Sequence, residues 1–319
     1  MKRIFESAIA TVLALGTIQS AEAAQVKRVT FDSQGQALVG HLYLPDNYQE
    51  GQQLPGVVVT GSWTSVKEQM AGTYASELAD RGYASLAFDF RGWGESQDTV
   101  KFLEDPKRKT EDIIAAAEFL TTRPEVNPDK VGGLGICASA GYIADAALTS
   151  DAIHSVALVA PWLHNAEIVK TVYGGSDGVT ALLETGRKAK AKFQSTGEMS
   201  IVPAASDTDK TAIMQEAPYY TDPERGSIPE YDNQFNLATW EPWLTYDALQ
   251  TATQLKKPTL LVHSESAAIP QGAQEFAQRM GDMATTVWLE NVTQFDFYDN
   301  PTDVAHATKE VDRHFQATL

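Results

Sequence analysis

Residues 131–141 constrain the fold of this chain most strongly, because an apolar run meets a helix-forming run there with no loop between them. The segment reads Val131-Gly-Gly-Leu-Gly-Ile-Cys-Ala-Ser-Ala-Gly141. Its first half predicts a strand buried on both faces, and its second half predicts the start of a helix. Cys137, the single cysteine of the chain, stands at the corner. Such a junction is typical of a mostly parallel sheet with helices on both faces.

The corner is suited to presenting a reactive side chain. A tight strand-to-helix turn needs small residues two positions before and after its centre, and Gly135 and Ser139 meet this need around Cys137. A turn centred on Ser139 fits less well, because it lengthens the strand by two residues and places a larger group before the centre. A packing turn with an inert buried thiol is the other alternative. We therefore predict Cys137 as a nucleophile.

The helix that follows the corner predicts the electrostatics of the thiol. Its free N–H groups and positive dipole end point at Cys137, so we expect the pKa of the thiol to be lowered toward neutral. The backbone N–H of Ala138 is one candidate donor to an oxyanion. The second donor is expected from the loop after the third strand, at Ser62 or Trp63.

Strand-like and helix-like segments alternate along most of the chain, which predicts an α/β fold. The predicted strands are residues 25–32, 37–44, 54–60, 83–89, 130–136, 153–160, 258–265 and 285–289. The predicted helices are residues 65–81, beginning at a capping box of Ser65 and Glu68, and residues 110–122, 138–148, 271–280 and 302–315. The alternation fails at residues 161–257, a segment too long for a plain loop. We interpret it as a helical cap, with helical pieces at 178–193 and 240–253, inserted into one domain of residues 24–319.

Residues 1–23 are interpreted as a cleaved signal peptide. Lys2 and Arg3 precede a short apolar run, and Ala21-Glu-Ala23 supplies a cleavage site. The run is too short to span a bilayer, so we predict no membrane span and a secreted or periplasmic protein. The 25 basic and 42 acidic residues give a net charge of −17, which disfavours nucleic acids and anionic lipids as partners.

Four segments, taken in order, resemble one known family. They are Gly61-Ser-Trp-Thr-Ser-Val-Lys-Glu-Gln69, Asp89-Phe-Arg-Gly-Trp-Gly-Glu-Ser96, Gly135-Ile-Cys-Ala-Ser-Ala-Gly141 and Asp296-Phe-Tyr-Asp299. The set resembles the dienelactone-hydrolase-like branch of the α/β-hydrolases over nearly the whole predicted mature chain. The resemblance implies the α/β-hydrolase fold, a cysteine or serine nucleophile, an acid after the penultimate strand and a histidine after the last. It also implies hydrolysis of esters and lactones without a metal or an organic cofactor.

The expected position of the histidine base holds Gln294, which cannot accept a proton at neutral pH. His164 follows a predicted strand at the carboxyl edge of the sheet, where ligands bind in open α/β sheets, and is the first candidate base. His263 ends the penultimate strand and is the second. Either can instead be a structural, hydrogen-bonded histidine. The apolar stripe of the last helix turns His306 toward solvent, and Gln294 is expected to orient substrate or water.

Glu265 is the carboxylate nearest to the expected acid position, although it fits equally well as a strand-end residue bonded to the next helix. The cap is rich in aromatic residues, which predict either an apolar ligand pocket or simple packing of the cap on the core. These residues are Trp162, Tyr219, Tyr220, Tyr231, Phe235, Trp240, Trp243 and Tyr246. The sequence contains no histidine or cysteine cluster at metal spacing and no glycine-rich phosphate loop, so no metal and no cofactor are predicted.

Together these features predict an exported hydrolase of carboxylic ester type, acting on a small ester, lactone or thioester of apolar or aromatic character. Cys137 would attack, and Ala138 with Ser62 or Trp63 would hold the oxyanion. The alternative is a catalytically degenerate α/β-hydrolase that binds a ligand or a partner.

Overall fold

The computed structural model describes residues 24–319, so the predicted signal peptide lies outside the described residues. The strands are β1 (Gln25–Ser33), β2 (Gln36–Leu44), β3 (Leu54–Thr60), β4 (Ala84–Phe88), β5 (Val126–Ile136), β6 (Ser155–Val159), β7 (Ile201–Pro203), β8 (Gln234–Asn236), β9 (Thr259–His263) and β10 (Ala284–Trp288). The helices are α1 (Met70–Ala79), α2 (Pro106–Thr121), α3 (Ser139–Thr149), α4 (Ala166–Val172), α5 (Gly175–Thr196), α6 (Pro218–Thr221), α7 (Trp240–Leu244), α8 (Pro270–Met280), α9 (Asp296–Asp299) and α10 (Pro301–Thr318).

Eight strands form one sheet in the order β1-β2-β4-β3-β5-β6-β9-β10. β1 pairs antiparallel with β2, and β2 with β4, whereas the other neighbours are parallel. The chain steps one way from β3 to β4 and the opposite way from β4 to β5. Because parallel crossovers are right-handed, α1 and α2 lie on opposite faces of the sheet. α10 packs beside α1 and α3 beside α2, which covers both faces as the sequence predicts.

The burial of the elements follows the sequence pattern. β3, β4, β6 and β9 are continuous apolar runs, and each is buried along nearly its whole length. In α10 the predicted inward residues Val304, Val311 and Phe315 are buried, and His306 is exposed. The predicted periodicity of that helix is therefore confirmed.

Two predicted helices depart furthest from their predicted bounds. α1 begins at Met70, because Ser65 bonds the carbonyl of Ser62 at 2.7 Å instead of capping a helix. Lys67 is buried against Asp89, with Nζ 2.8 Å from the carboxylate, which holds the preceding turns out of the helix. The predicted helical piece at 240–253 ends at Leu244.

The segment between β6 and β9, residues 161–257, carries α4 to α7 and a ribbon of β7 and β8, and we call it the cap. Its aromatic side chains pack on Trp63 from the loop after β3. The ring centroids of Phe235 and Trp243 lie 4.9 Å and 5.0 Å from that of Trp63. Among the helices of residues 24–319, none is both long and apolar enough to cross a bilayer.

Candidate active site

Cys137 occupies the sharp corner between β5 and α3. Its φ of 57° lies in the left-handed region, which a side chain other than glycine adopts at a cost of about 1–2 kcal/mol. The N–H of Cys137 donates to the carbonyl of Val159 at 3.1 Å, and its carbonyl accepts from Trp162 at 2.9 Å. A Cβ on Gly135 would lie 2.6 Å from the carbonyl oxygen of Ser139, so only glycine fits there. The corner geometry predicted around Cys137 is present.

Three groups near the sulfur of Cys137 favour its thiolate form as hydrogen-bond donors: the backbone N–H groups of Ala138 and Trp63, and the hydroxyl of Tyr298. The N–H of Ser62 instead points at the sulfur of Met70, at 3.4 Å. Of the two predicted candidates for the second oxyanion donor, the structure therefore places Trp63 at the site and turns Ser62 away.

Burial raises the pKa of the Cys137 thiol, and the hydrogen bonds that it receives from Tyr298, Ala138 and Trp63 do not offset that effect. The side chain is 7% exposed. The expectation of a pKa lowered toward neutral is thus wrong, because desolvation outweighs the helix end. Ser139 is fully buried, and its hydroxyl donates to the carbonyl of Gly61, which removes it as an alternative nucleophile.

His164 is not placed to act as a base, and that expectation is corrected. Its Nδ1 accepts a hydrogen bond from the indole of Trp162 at 3.1 Å, and its Nε2 lies 3.0 Å from the carbonyl of Trp243. Because Nδ1 is the acceptor, the ring proton is on Nε2, and no lone pair remains for a thiol proton. Burial lowers the pKa of His164 to about 4. The residue ties the first turn of the cap to α7.

His263 and Glu265 also have structural roles. The Nε2 of His263 lies 3.2 Å from the carbonyl of Ala268, and burial lowers the pKa of the ring to about 4. Glu265 is exposed and accepts from Gln274 of α8 at 2.9 Å, which corrects its assignment as the acid. Neither residue lines the cavity that contains Cys137.

Gln294 lies at this cavity, in a position set by backbone groups. Its Oε1 accepts from the N–H of Ala268 at 3.0 Å, and its Nε2 donates to the carbonyl of Ala160 at 2.9 Å. The Nε2 is also 2.9 Å from the hydroxyl of Tyr298. Tyr298, which contacts the sulfur, was missed at the sequence level. The signal available was its position four residues after Gln294, which places both on one side of the short α9 region.

Glu104 is a second residue that the sequence did not single out. It is fully buried and pairs with Lys109 at 2.7 Å. Its carboxylate also accepts from the backbone N–H of Thr64 and from the hydroxyl of Tyr142, both at 3.1 Å. Since Thr64 follows Trp63, this buried pair fixes the loop that carries the backbone N–H of Trp63.

A cavity of about 360 Å³ opens in front of Cys137, between the core and the cap. Aromatic side chains make up much of its wall. They are Trp63, Trp162, Tyr173, Tyr220, Trp243, Phe295 and Tyr298. Among the described residues that line it, Glu216 carries the one carboxylate, and there is no imidazole. The cap aromatics therefore serve both roles predicted for them, lining a pocket and packing the cap on the core.

One group of side chains in the described residues has the spacing of metal ligands: His41, Glu68 and Glu95. The ammonium of Lys67 already lies 2.6 Å from Glu68 and 2.8 Å from Glu95. A divalent cation there would meet a positive charge at contact distance, so the group is better described as an ion-pair network.

Comparison with known proteins agrees with this architecture. A model of the alpha/beta hydrolase family matches residues 56–307. The protein YcjY of Escherichia coli K12 is 31% identical over 291 residues, which cover 87% of this chain and 93% of YcjY. PA2218 of Pseudomonas aeruginosa is 30% identical over 252 residues, covering 76% of this chain and 67% of PA2218.

The crystal structure of PA2218 has a TM-score of 0.83 to this protein at 24% sequence identity, and covers 98% of this chain and 100% of the PA2218 chain. The expected α/β-hydrolase fold is confirmed. A part of the chain is similar to the thiohydrolase aneE of Aspergillus aculeatus, with 28% identity over 137 residues, 43% of this chain and 41% of aneE.

Proposed function

Because the chain belongs to the alpha/beta hydrolase family, we propose that it cleaves a small carboxylic ester, lactone or thioester with Cys137 as the nucleophile. One observation supports the proposal: the sulfur stands at a left-handed corner beside a cavity between the core and the cap, with the backbone N–H groups of Ala138 and Trp63 next to it. The similarity to a thiohydrolase supports chemistry at an acyl–sulfur bond. Assignment to the dienelactone-hydrolase-like branch stays a prediction.

The groups next to the sulfur support the following steps. The thiolate of Cys137 attacks the carbonyl carbon, and the carbonyl electron pair moves to oxygen. The N–H groups of Ala138 and Trp63 stabilise that oxyanion. When it collapses, the bond to the leaving group breaks, the alcohol or thiol leaves with a proton taken from water, and the acyl group remains on the sulfur as a thioester. Water, or a second nucleophile, then attacks the thioester carbon, the carbon–sulfur bond breaks, and the acyl product is released with a proton going to solvent, which returns the thiolate.

The cavity supports an apolar class of substrate. Its volume of about 360 Å³ lies near the lower end of small-molecule pockets, and its wall is mostly aromatic. A compact apolar or aromatic acyl group fits both properties. An apolar wall does not compensate a charged acyl group for lost hydration.

The site operates without a histidine in contact with the nucleophile. Of the described side chains that line the cavity, none is an imidazole, and burial raises the pKa of the Cys137 thiol. The rate of attack therefore follows the small thiolate fraction at neutral pH. This same observation favours the second candidate function, a family member that binds an apolar ligand and catalyses nothing.

Our proposal includes export. The basic start at Lys2 and Arg3, the short apolar run and the small residues Ala21 and Ala23 support a signal peptide removed near position 23. Amino-terminal sequencing of the protein from the producing cell would test it, with a start at Ala24 or Gln25 expected. A retained Met1 would contradict export by this route.

The decisive experiment traps the acyl group. The protein is mixed with nitrophenyl and thiophenyl esters of butyrate and benzoate, and intact mass is recorded at short times. We expect an added acyl mass that hydroxylamine removes and that maps to the peptide of Cys137. The variant C137A should carry no adduct and lose at least about 10³-fold in rate.

The matched control is S85A, which removes one buried hydroxyl in β4, remote from the cavity. Normal turnover is expected for S85A. Equal rates in the unmodified protein and C137A, together with saturable binding of the unreacted ester, would replace the catalytic proposal with the ligand-binding one.

A further inference from the structure

We propose that Tyr298 is the third hydrogen-bond donor to the sulfur of Cys137, and that Gln294 is the positioning residue that fixes the direction of this hydrogen bond. This inference rests on the proposed role of Cys137 as the nucleophile. It gives the residue at the missing histidine's position a defined task.

The orientation of the Gln294 amide is set by two backbone groups. The N–H of Ala268 can only donate, so the atom 3.0 Å from it is the oxygen. The carbonyl of Ala160 can only accept, so the atom 2.9 Å from it is the nitrogen. A flipped amide would place two donors together at one end and two acceptors at the other. The NH₂ group therefore faces Tyr298.

The amide orientation decides what the tyrosine hydroxyl does. The second N–H of Gln294 donates to the phenolic oxygen of Tyr298 at 2.9 Å. The hydroxyl proton of Tyr298 is then free for its other polar neighbour, the sulfur of Cys137, beside which it lines the cavity. Tyr298 is 2% exposed, which limits the competition of water for that proton. The polar groups next to the sulfur, the N–H groups of Ala138 and Trp63 and the hydroxyl of Tyr298, can thus all act as donors to it.

The ring of Tyr298 is held in place by its neighbours. Tyr219 lies edge-on at a centroid distance of 5.1 Å, and Phe295 at 5.8 Å. A hydroxyl on a ring packed in this way pays little entropy to stay at the sulfur. The arrangement stabilises a thiolate without a neighbouring base, which is the task that a site lacking an imidazole has to perform.

Glutamine differs from glutamate in a way that gives a sharp test. The variant Q294E keeps the shape of the side chain, but its carboxylate can only accept hydrogen bonds. It would therefore accept a hydrogen bond from the hydroxyl of Tyr298 and turn that hydroxyl away from the sulfur. Q294M cannot bond Tyr298 at all and leaves its hydroxyl free to donate to the sulfur. Y298F removes the donor outright.

The measurement is the pH dependence of alkylation by iodoacetamide, which reports Cys137 alone because the chain has one cysteine. We expect Y298F to raise the apparent pKa of Cys137 by about one unit, a tenfold loss of labelling at neutral pH. Q294E should raise the pKa at least as much, and Q294M should raise it less than Y298F. The matched control Y173F removes another hydroxyl lining the cavity and should leave the pKa unchanged.

An unchanged pKa in Y298F would overturn the role of Tyr298. A shift in Y298F without one in Q294E would overturn the role of Gln294. Native protein that is never labelled up to pH 10 would overturn the inference as a whole. Alkylation requires no turnover, so a protein that shows these shifts and cleaves no ester keeps this inference and loses the proposed function.

Discussion

The two sides of the candidate site differ in how complete they are: one supplies hydrogen-bond donors from the backbone, and the other lacks a side chain that can act as a base. On one side, the β5–α3 corner and the loop after β3 bring Cys137, Ala138 and Trp63 together through backbone geometry. On the other side, the loop after β10 supplies Gln294 and Tyr298, neither of which accepts a proton at neutral pH. Backbone donors come with the topology and persist as long as the fold does. A base is one side chain, and its replacement leaves the fold intact.

The largest effect is expected from breaking the buried ion pair of Glu104 and Lys109, which holds the loop after β3. Lys109 is 2% exposed, and K109M would leave the carboxylate of Glu104 buried without its cation. We expect the free energy of unfolding to fall by about 3–5 kcal/mol, measured by urea denaturation. The control K170M removes the cation of an exposed pair with Glu167 and should cost less than about 1 kcal/mol. Equal denaturation midpoints for K109M and K170M would show that the buried pair of Glu104 and Lys109 does not stabilise the fold.

A second test concerns the buried histidines, to which we assign a structural role rather than the role of catalytic base. His164 has a folded pKa of about 4 against 6.5 when unfolded, so the unfolded chain binds more protons between these values. Stability is therefore lost as pH falls from 6.5 to 4, by about 3 kcal/mol for this residue. H164Q should show a correspondingly weaker pH dependence of unfolding, and H306Q, at an exposed position, should match the unmodified protein. Identical pH slopes in all three would refute the assignment.

The pH dependence of catalysis separates a site with a histidine base from this one. Because burial raises the pKa of the Cys137 thiol, kcat/KM should rise about tenfold per pH unit from pH 6 into the alkaline range. A histidine base would instead give a plateau above about pH 6.5. Steady-state rates with a neutral ester, across buffers of constant ionic strength, are the measurement. A plateau near neutral pH would show that a base has been overlooked.

The smallest expected effect comes from restoring the missing group. The variant Q294H places an imidazole where the amide now lies 2.9 Å from the hydroxyl of Tyr298. A base connected to the sulfur through that hydroxyl should raise kcat/KM at pH 7 by about tenfold. The pH profile of kcat/KM should then show an inflection near pH 6.5. The control Q294N shortens the amide and supplies no base. A gain in Q294N equal to that in Q294H would trace the effect to space rather than to proton transfer.

The sequence predicted what depends on local pattern. The corner at Cys137 follows from small residues at fixed spacing, and the outward direction of His306 follows from helical periodicity. Both depend on neighbours within a few residues. The order of strand and helix segments was predictable for the same reason.

The sequence did not predict what depends on distant contacts. The helical piece expected at 240–253 is interrupted where Tyr246 bonds Asp145 at 2.7 Å and the N–H of Ala248 donates to the carbonyl of His164 at 2.9 Å. The roles of His164 and Tyr298 were likewise decided by partners far away in the chain. Nor does any local pattern reveal that desolvation of the thiol outweighs the helix end.

Trp63 belongs to both parts of the molecule at once. Its backbone N–H serves the sulfur, while its ring is clamped between Phe235 and Trp243 of the cap. Chimeras that exchange residues 161–257 between relatives would therefore alter reactivity as well as selectivity, unless they preserve those two rings. The cap and the loop after β3 therefore have to be exchanged together in a functional chimera.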